Sequence, residues 1–217
     1  MKRARILVAD DHSMILKGIK GLLEDQYEIV GVADNGKALL DAAARLKPDV
    51  VILDISMPIL NGIDATREIR KTLPSTKVVV QTMHSNAVYL RKALEAGASA
   101  YVLKTGAAEE LLRAIETALK GQLYVPAALN QGAVEAIVRR GGRPPRSPAE
   151  LTGRQRQILQ LVAEGKQNKE IAEILHVSVR TVEFHRSRLM GKTGATSIAE
   201  LTRFAIQEGL VPGPDRV

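Results

Sequence analysis

The first 120 residues alternate five times between a short aliphatic run and a helical pattern. The runs cover 5–10, 28–33, 50–54, 77–82 and 99–103; the helical patterns cover 13–24, 35–46, 63–72, 87–96 and 107–120. A run such as Val78-Val79-Val80 has no polar face to turn toward water, so both of its faces must be covered. A parallel sheet flanked by crossover helices meets that demand. Five successive units predict a doubly wound, five-stranded parallel sheet of the α/β class. The ligand crevice of such a sheet lies beyond the carboxyl ends of its strands.

The remainder of the chain reads differently. Arg139-Arg-Gly-Gly-Arg-Pro-Pro-Arg-Ser-Pro148 is a linker by composition, because Pro and Gly break helices and its charges extend it. Residues 127–138 carry a short helical pattern with Val134, Ile137 and Val138 on one side. Beyond the linker come four helical patterns, 152–164, 168–175, 179–192 and 197–208, and no strand, which predicts an all-α unit. Thr152 with Gln155 makes a capping box, and Gly165 stops the first of these helices. The expected organisation is a domain over 1–122, a linker over 123–149 and a helical domain over 150–217.

Acidic residues collect at the strand ends: Asp10 and Asp11 after the first, Asp54 after the third. Thr82 closes the fourth run and Lys104 follows the fifth. A carboxylate beside a divalent cation can attack phosphorus and become an acyl phosphate, because the ion neutralises the transferring oxygens. In that chemistry Asp11 ligates the ion directly and Asp10 directly or through water. Asp54 and the Ser56 backbone carbonyl complete the protein share of an octahedral shell. Oxygen donors of this kind suit Mg²⁺ or Mn²⁺. Thr82 offers a hydroxyl to one phosphoryl oxygen and Lys104 a compact cation to another. Gly62 shapes the loop after Asp54 and is expected at positive φ. Met83 and His84 are bulky neighbours expected to slow or steer water toward an acyl phosphate. Acids at strand ends also cap helices, so for Asp11 capping and metal ligation both stay open.

The charge of the chain is uneven. Residues 1–122 hold 17 Lys/Arg against 15 Asp/Glu, and residues 123–217 hold 14 against 9. The basic half points to a polyanion partner, with a solubilising surface as the alternative. Without cysteine, disulfide frameworks, Fe–S clusters, zinc fingers and thiol catalysis are excluded. The four histidines, His12, His84, His176 and His185, lack metal-ligand spacing. No apolar signal region or membrane-length run is present, so no membrane partner and a cytoplasmic location are expected.

In the basic half, Asn168-Lys-Glu-Ile-Ala-Glu-Ile-Leu175 and Val179–Met190 are two helical patterns separated by His176-Val177-Ser178, the spacing of a helix-turn-helix. At roughly 100° per residue, Val182, His185, Arg186, Leu189 and Thr193 share one side, which faces the domain. Arg180, Glu183, Phe184, Ser187 and Gly191 share the other, which a DNA groove would meet. Glu183 is assigned to a cytosine amino group, Phe184 to a thymine methyl, and Arg180 to a base or phosphate. Repelling wrong sites is an open alternative for Glu183. Thr181, Arg188, Lys192, Lys166 and Lys169 are assigned to phosphates.

Taken together, Asp10-Asp11, Asp54 within Asp-x-x-Met-Pro-x-x-x-Gly, Thr82, Tyr101 and Lys104 resemble the receiver domain of two-component response regulators, a flavodoxin-like fold, over residues 3–122. Leu151-Thr-x-Arg154-x-x-x-Ile158-Leu, Asn168-Lys-Glu-Ile-Ala and Thr181-Val-x-x-His185 resemble the LuxR-type helix-turn-helix over 151–206. A receiver joined to this module is similar to the NarL/FixJ class of transcriptional regulators. The resemblance implies that Asp54 is the phosphoacceptor, Thr82 the switch hydroxyl and Tyr101 the switch aromatic. It implies a sensor histidine kinase and double-stranded promoter DNA as partners, a homodimer when phosphorylated, and RNA polymerase as a further partner. Its final helix pairs monomers, with Ile198, Leu201, Ala205 and Ile206 as the face, unless these residues close the core. Thr105 stands where many receivers have proline, which argues against a cis peptide after Lys104. Two rivals are an Asp-nucleophile phosphatase, for which the loops around Asp54 look short, and a constitutive DNA-binding protein with a receiver scaffold.

Overall fold

The computed structural model describes residues 3–129 and 151–213. The residues fall into two compact units. The linker at 139–148 and most of the helical pattern at 127–138 lie outside the described residues; of the latter only a 3₁₀ turn, Ala127–Leu129, is described.

The N-terminal unit runs β1 (Arg5–Ala9), α1 (Ser13–Leu23), β2 (Glu28–Ala33), α2 (Gly36–Leu46), β3 (Val50–Leu53), α3 (Gly62–Thr72), β4 (Lys77–Thr82), α4 (Ala87–Ala96), β5 (Ala100–Leu103) and α5 (Ala108–Leu119). All ladders are parallel and the strand order is β2-β1-β3-β4-β5. The order turns back between β1 and β3, and a doubly wound sheet opens its crevice at that point. Asp10 and Asp54 follow those two strands, in a register that pairs Ala9 with Leu53.

Alternate residues of each strand point to opposite faces. Ile6, Val8, Val50, Ile52, Val79 and Val102 pack on Ile19 and Leu23 of α1 and on Leu111, Ala114, Ile115 and Ala118 of α5. The intervening Leu7, Val51, Leu53, Val78 and Val80 are equally buried, and α2, α3 and α4 cover that side. The unbroken aliphatic strands are thus accounted for by cover on both faces. Local signals set the helix limits. Asn35 and Asn86 accept N–H bonds from Ala38 and Val88 at the starts of α2 and α4. Lys47 (φ 46°), followed by Pro48, ends α2, and Gly97 (φ 98°) ends α4.

The C-terminal unit contains α6 (Gly153–Ala163), α7 (Asn168–Leu175), α8 (Val179–Thr193) and α9 (Ile198–Gln207). The capping box of Thr152 and Gln155 opens α6. A second box, in which the Gln167 N–H donates to Glu170 Oε2 at 2.7 Å, opens α7. His176 takes the left-handed conformation (φ 52°) to end α7, and Ser178 Oγ accepts the Thr181 N–H at 3.1 Å to start α8. Arg154 Nη2 donates to the Leu175 carbonyl at 3.1 Å, closing the end of α7.

The core of this unit gathers Ile158, Leu159, Leu161, Ile171, Ala172, Val182, Leu189, Leu201 and Ala205. Leu201 and Ala205 are fully buried, which corrects their assignment to a dimer face. Exposing a leucine from such a position forfeits about 1.5–3 kcal/mol, so it belongs to the fold. Ile198 is half exposed and Ile206 partly so; these two remain of the expected face.

Candidate functional site

Asp10 and Asp54 are both nearly inaccessible to solvent, and a single cation lies between them. Lys104 Nζ stands 2.6 Å from Asp10 Oδ2 and 2.8 Å from Asp54 Oδ2. Their other oxygens are held by backbone: Ile55 N–H donates to Asp54 Oδ1 at 2.6 Å and His12 N–H to Asp10 Oδ1 at 2.9 Å. Burial alone would lower the lysine pKa, but the hydrogen bonds and charges of Asp10 and Asp54 outweigh it and raise the pKa. A raised lysine pKa means the pair contributes fully below the ordinary lysine value and fades only as pH climbs past the folded value.

Asp11 is exposed, and its Oδ1 lies 2.8 Å from His12 Nδ1. The N-cap of α1 is His12, without a side-chain cap bond, so Asp11 does not cap this helix. Asp10, Asp11 and His12 each place a ligand atom within 4.8 Å of the others. Hard carboxylate oxygens, two from buried groups that already enclose a cation, fit Mg²⁺ or Mn²⁺ chemically.

Thr82 is fully buried at the end of β4, and its Oγ1 accepts the His84 N–H at 3.3 Å. Tyr101 is fully buried on the edge strand β5, and its hydroxyl donates to the His84 carbonyl at 2.7 Å. Burial first, then the negative charge of Asp54, pushes its phenol pKa up, so it stays a donor. All described peptide bonds are trans, including the one after Lys104. Met83 is largely exposed. The pairing of His84 Nε2 with Ser56 Oγ, 2.9 Å apart, has no signal in the sequence.

Gly62 departs from expectation. It does not take positive φ; in this loop that conformation belongs to Ile59 (φ 70°). Glycine is needed for close approach instead, since a Cβ at position 62 would fall 2.0 Å from the Asp54 carbonyl oxygen and 2.7 Å from Leu53 Cδ1. The backbone atom cannot step aside without moving Asp54. Gly62→Ala is therefore expected to destabilise the N-terminal unit by about 1–3 kcal/mol, as overpacked cores do. A denaturant melt at the wild-type midpoint would overturn this.

In the C-terminal unit α8 presents two unlike sides. Val182 and Leu189 are buried, and Arg186 Nη1 reaches back to Asn168 Oδ1 at the start of α7. His185 also turns inward, with Nδ1 buried. Arg180, Glu183, Phe184, Ser187, Arg188 and Lys192 are exposed, as are Lys166 and Lys169, while Thr181 is half-buried with its Oγ1 2.8 Å from Ser178 Oγ. The Arg188 guanidinium lies over the Phe184 ring, 4.9 Å from its centroid. Lys166, Lys169, Glu183 and Ile198 line one concavity of about 530 Å³. Lys192 lies apart, donating to Gln155 Oε1 at 3.1 Å.

A parallel sheet with buried acids and a lysine at its switch point, carried by a chain that also holds a helix-turn-helix with an exposed basic surface, defines a receiver-type regulator. The profile of the response regulator receiver domain matches residues 6–116, and that of the bacterial regulatory proteins of the luxR family matches residues 149–205. The chain is 37% identical to the transcriptional regulatory protein MctR of Rhizobium johnstonii, over 96% of each protein. It is 36% identical to the oxygen regulatory protein NreC of Staphylococcus aureus, covering 95% of this chain and 99% of that one. Among solved structures, the RcsB response regulator of Salmonella typhimurium aligns with a TM-score of 0.63 at 27% identity, over 96% of this chain and 99% of that one. An RcsB–DNA complex aligns with a TM-score of 0.58 at 28% identity, over 95% and 99%. The chain belongs to the two-component response regulators that join a receiver domain to a LuxR-type DNA-binding domain. Members of this family are transcriptional regulators, not turnover enzymes. Among the described residues no helix is long and apolar enough to cross a membrane.

Proposed function

We propose that Asp54 is the phosphoacceptor of this regulator and that its phosphorylation controls promoter binding by α8. The observation that carries this reading is the Lys104 ammonium held within 2.8 Å of both Asp10 and Asp54. The phosphohistidine of a sensor kinase loses its N–P bond as an Asp54 oxygen forms the new O–P bond. Asp10, Asp11, Asp54 and the Ser56 carbonyl would hold Mg²⁺, or Mn²⁺ in its place. When bound, the ion supplies neutralisation of charge on the transferring oxygens. Lys104 and Thr82 then hold two phosphoryl oxygens, and Tyr101 follows the movement of the segment that leads from β4 to α4. The added charge biases a two-state equilibrium.

On DNA, α8 enters the major groove with Glu183, Phe184, Arg180 and Ser187 toward the bases. Lys166, Lys169, Thr181, Arg188 and Lys192 take phosphates. Phosphorylated homodimers span two half-sites about one helical turn, or a multiple, apart. With Leu201 and Ala205 in the core, the α9 contribution reduces to Ile198 and Ile206. The cytoplasm, where promoter DNA and RNA polymerase meet, is the location this role requires. The test is DNA binding and oligomeric state of the full chain with and without acetyl phosphate and Mg²⁺, beside Asp54→Asn.

The two classes of DNA contact are separable. Lys169→Ala is expected to weaken binding to all sequences alike and to lower the salt slope by about one. Glu183→Ala is expected to leave the slope and relax base preference by about 1–3 kcal/mol at one position. Anisotropy titrations across a salt series read both. Matching slopes for Lys169→Ala and wild type would sink the phosphate assignment.

A further inference from the structure

One side chain gathers the surroundings of the phosphoacceptor. Ser56 stands two residues past Asp54 and His84 two residues past Thr82, and their Oγ and Nε2 atoms lie 2.9 Å apart. This contact ties the segment after β3 to the segment after β4. The His84 ring also stacks on Tyr89 of α4, with centroids 4.0 Å apart and planes at 12°. Its backbone serves two further groups: its carbonyl accepts the Tyr101 hydroxyl at 2.7 Å, and its N–H donates to Thr82 Oγ1 at 3.3 Å. The cap of α4 is Asn86, so helix initiation makes no use of the imidazole. The ring is only half-buried, so the apolar core does not need it either.

We propose that His84 is a positioning residue for phosphoryl acceptance, and that the Ser56–His84 bond latches the segment after β4 in its resting form. The inference rests on the reading of Asp54 as phosphoacceptor and adds to it a restraint specific to these two side chains. The latched segment holds both groups that must respond to a phosphoryl group. If the Thr82 hydroxyl turns toward a phosphoryl oxygen, it leaves the His84 N–H, and the backbone that carries the Tyr101 acceptor shifts with it. Anchored by Ser56 on one side and Tyr89 on the other, the imidazole resists that shift. The net worth of one neutral hydrogen bond sets the resistance at roughly fivefold in an equilibrium or rate.

The experiment follows phosphorylation of the full chain by acetyl phosphate with Mg²⁺ on a phosphate-affinity gel. In this reaction the acetyl O–P bond breaks, an Asp54 oxygen bonds phosphorus, and acetate leaves. Ser56→Ala removes the hydroxyl, and His84→Phe removes the bond while keeping a ring to stack on Tyr89. Each is expected to raise the initial rate roughly fivefold. The double variant is expected to be no faster than either single one, because both lose the same contact. His84→Gln, whose side-chain amide reaches toward Ser56, is expected to restore the wild-type rate. Asp54-dependent labelling with unchanged, slower or additive rates in these variants overturns the latch alone. Label that persists in Asp54→Asn, or wild type that takes none, overturns the phosphoacceptor reading and the latch with it.

Discussion

Asp54→Asn is expected to take no phosphate from acetyl phosphate and Mg²⁺, and its DNA affinity is expected not to respond to the phosphodonor. The substitution is nearly isosteric. An amide oxygen still accepts the Ile55 N–H that Asp54 Oδ1 accepts at 2.6 Å, while the amide nitrogen, which only donates, replaces the Oδ2 that accepts from Lys104 at 2.8 Å. What it lacks is the charged oxygen that can displace a leaving group at phosphorus. Wild-type affinity should rise on phosphorylation by about 5–150-fold, the usual span of a coupling between two sites. Asp54→Asn should sit at the unphosphorylated end of that span under both conditions. Because one buried negative charge is removed while Asp10 keeps Lys104, the melting temperature should not fall. A variant that still gains affinity with acetyl phosphate would move the phosphoacceptor elsewhere. Equal affinity of wild type with and without phosphodonor would favour a constitutive DNA-binding protein.

Much of this site is legible in the sequence because it is built from strand ends. A strand in a covered parallel sheet must be apolar throughout, so the first polar residue after each run marks where the backbone leaves the core. Asp10, Asp54 and Lys104 are such residues, Thr82 closes its strand one residue after Gln81, and each observed strand ends within a residue of its expected limit. The faces of α8 were legible for a similar reason: Val182 and Leu189 are apolar anchors two turns apart on one side of a largely polar helix, and burial follows them.

What failed depends on distances between segments far apart in the chain. Gly62 was expected to need positive φ, because glycine in a loop suggests it; its real constraint is the Asp54 carbonyl, which no local pattern encodes. Ile198, Leu201, Ala205 and Ile206 form one apolar stripe in sequence. Only the packing of α6 and α8 against α9 divides the stripe into a buried pair and an accessible pair. Ser56 and His84 were each visible, the one as a carbonyl and the other as a bulky neighbour. Their contact exists because two loops leave adjacent strands at the same level, in the register that pairs Leu53 with Val80.

Lys104→Met tests the electrostatics of the site from the other side. The ammonium is nearly inaccessible and is shared by two carboxylates that are just as buried. Removing it leaves two negative charges facing each other in a region of low dielectric. Breaking a buried ion pair by deleting one partner costs about 3–5 kcal/mol. Full-length Lys104→Met in EDTA should therefore melt lower, on the order of 10 °C, in the transition of the N-terminal unit. The same deletion removes a cation that would compete with a metal ion for Asp10 and Asp54. Mg²⁺ should then raise the melting temperature of Lys104→Met more than that of wild type. A ligand at a hundred times its dissociation constant stabilises by about 2.7 kcal/mol, so saturating Mg²⁺ recovers most of the loss. Phosphorylation should not recover with it if, as proposed, Lys104 holds a phosphoryl oxygen. Lys104→Met would thus be metal-stabilised yet poorly switched, separating the role of the lysine as resident counter-ion from its role toward phosphate. An unchanged melting temperature in EDTA, or a Mg²⁺ shift no larger than that of wild type, would mean the carboxylates are solvated well enough to need neither cation.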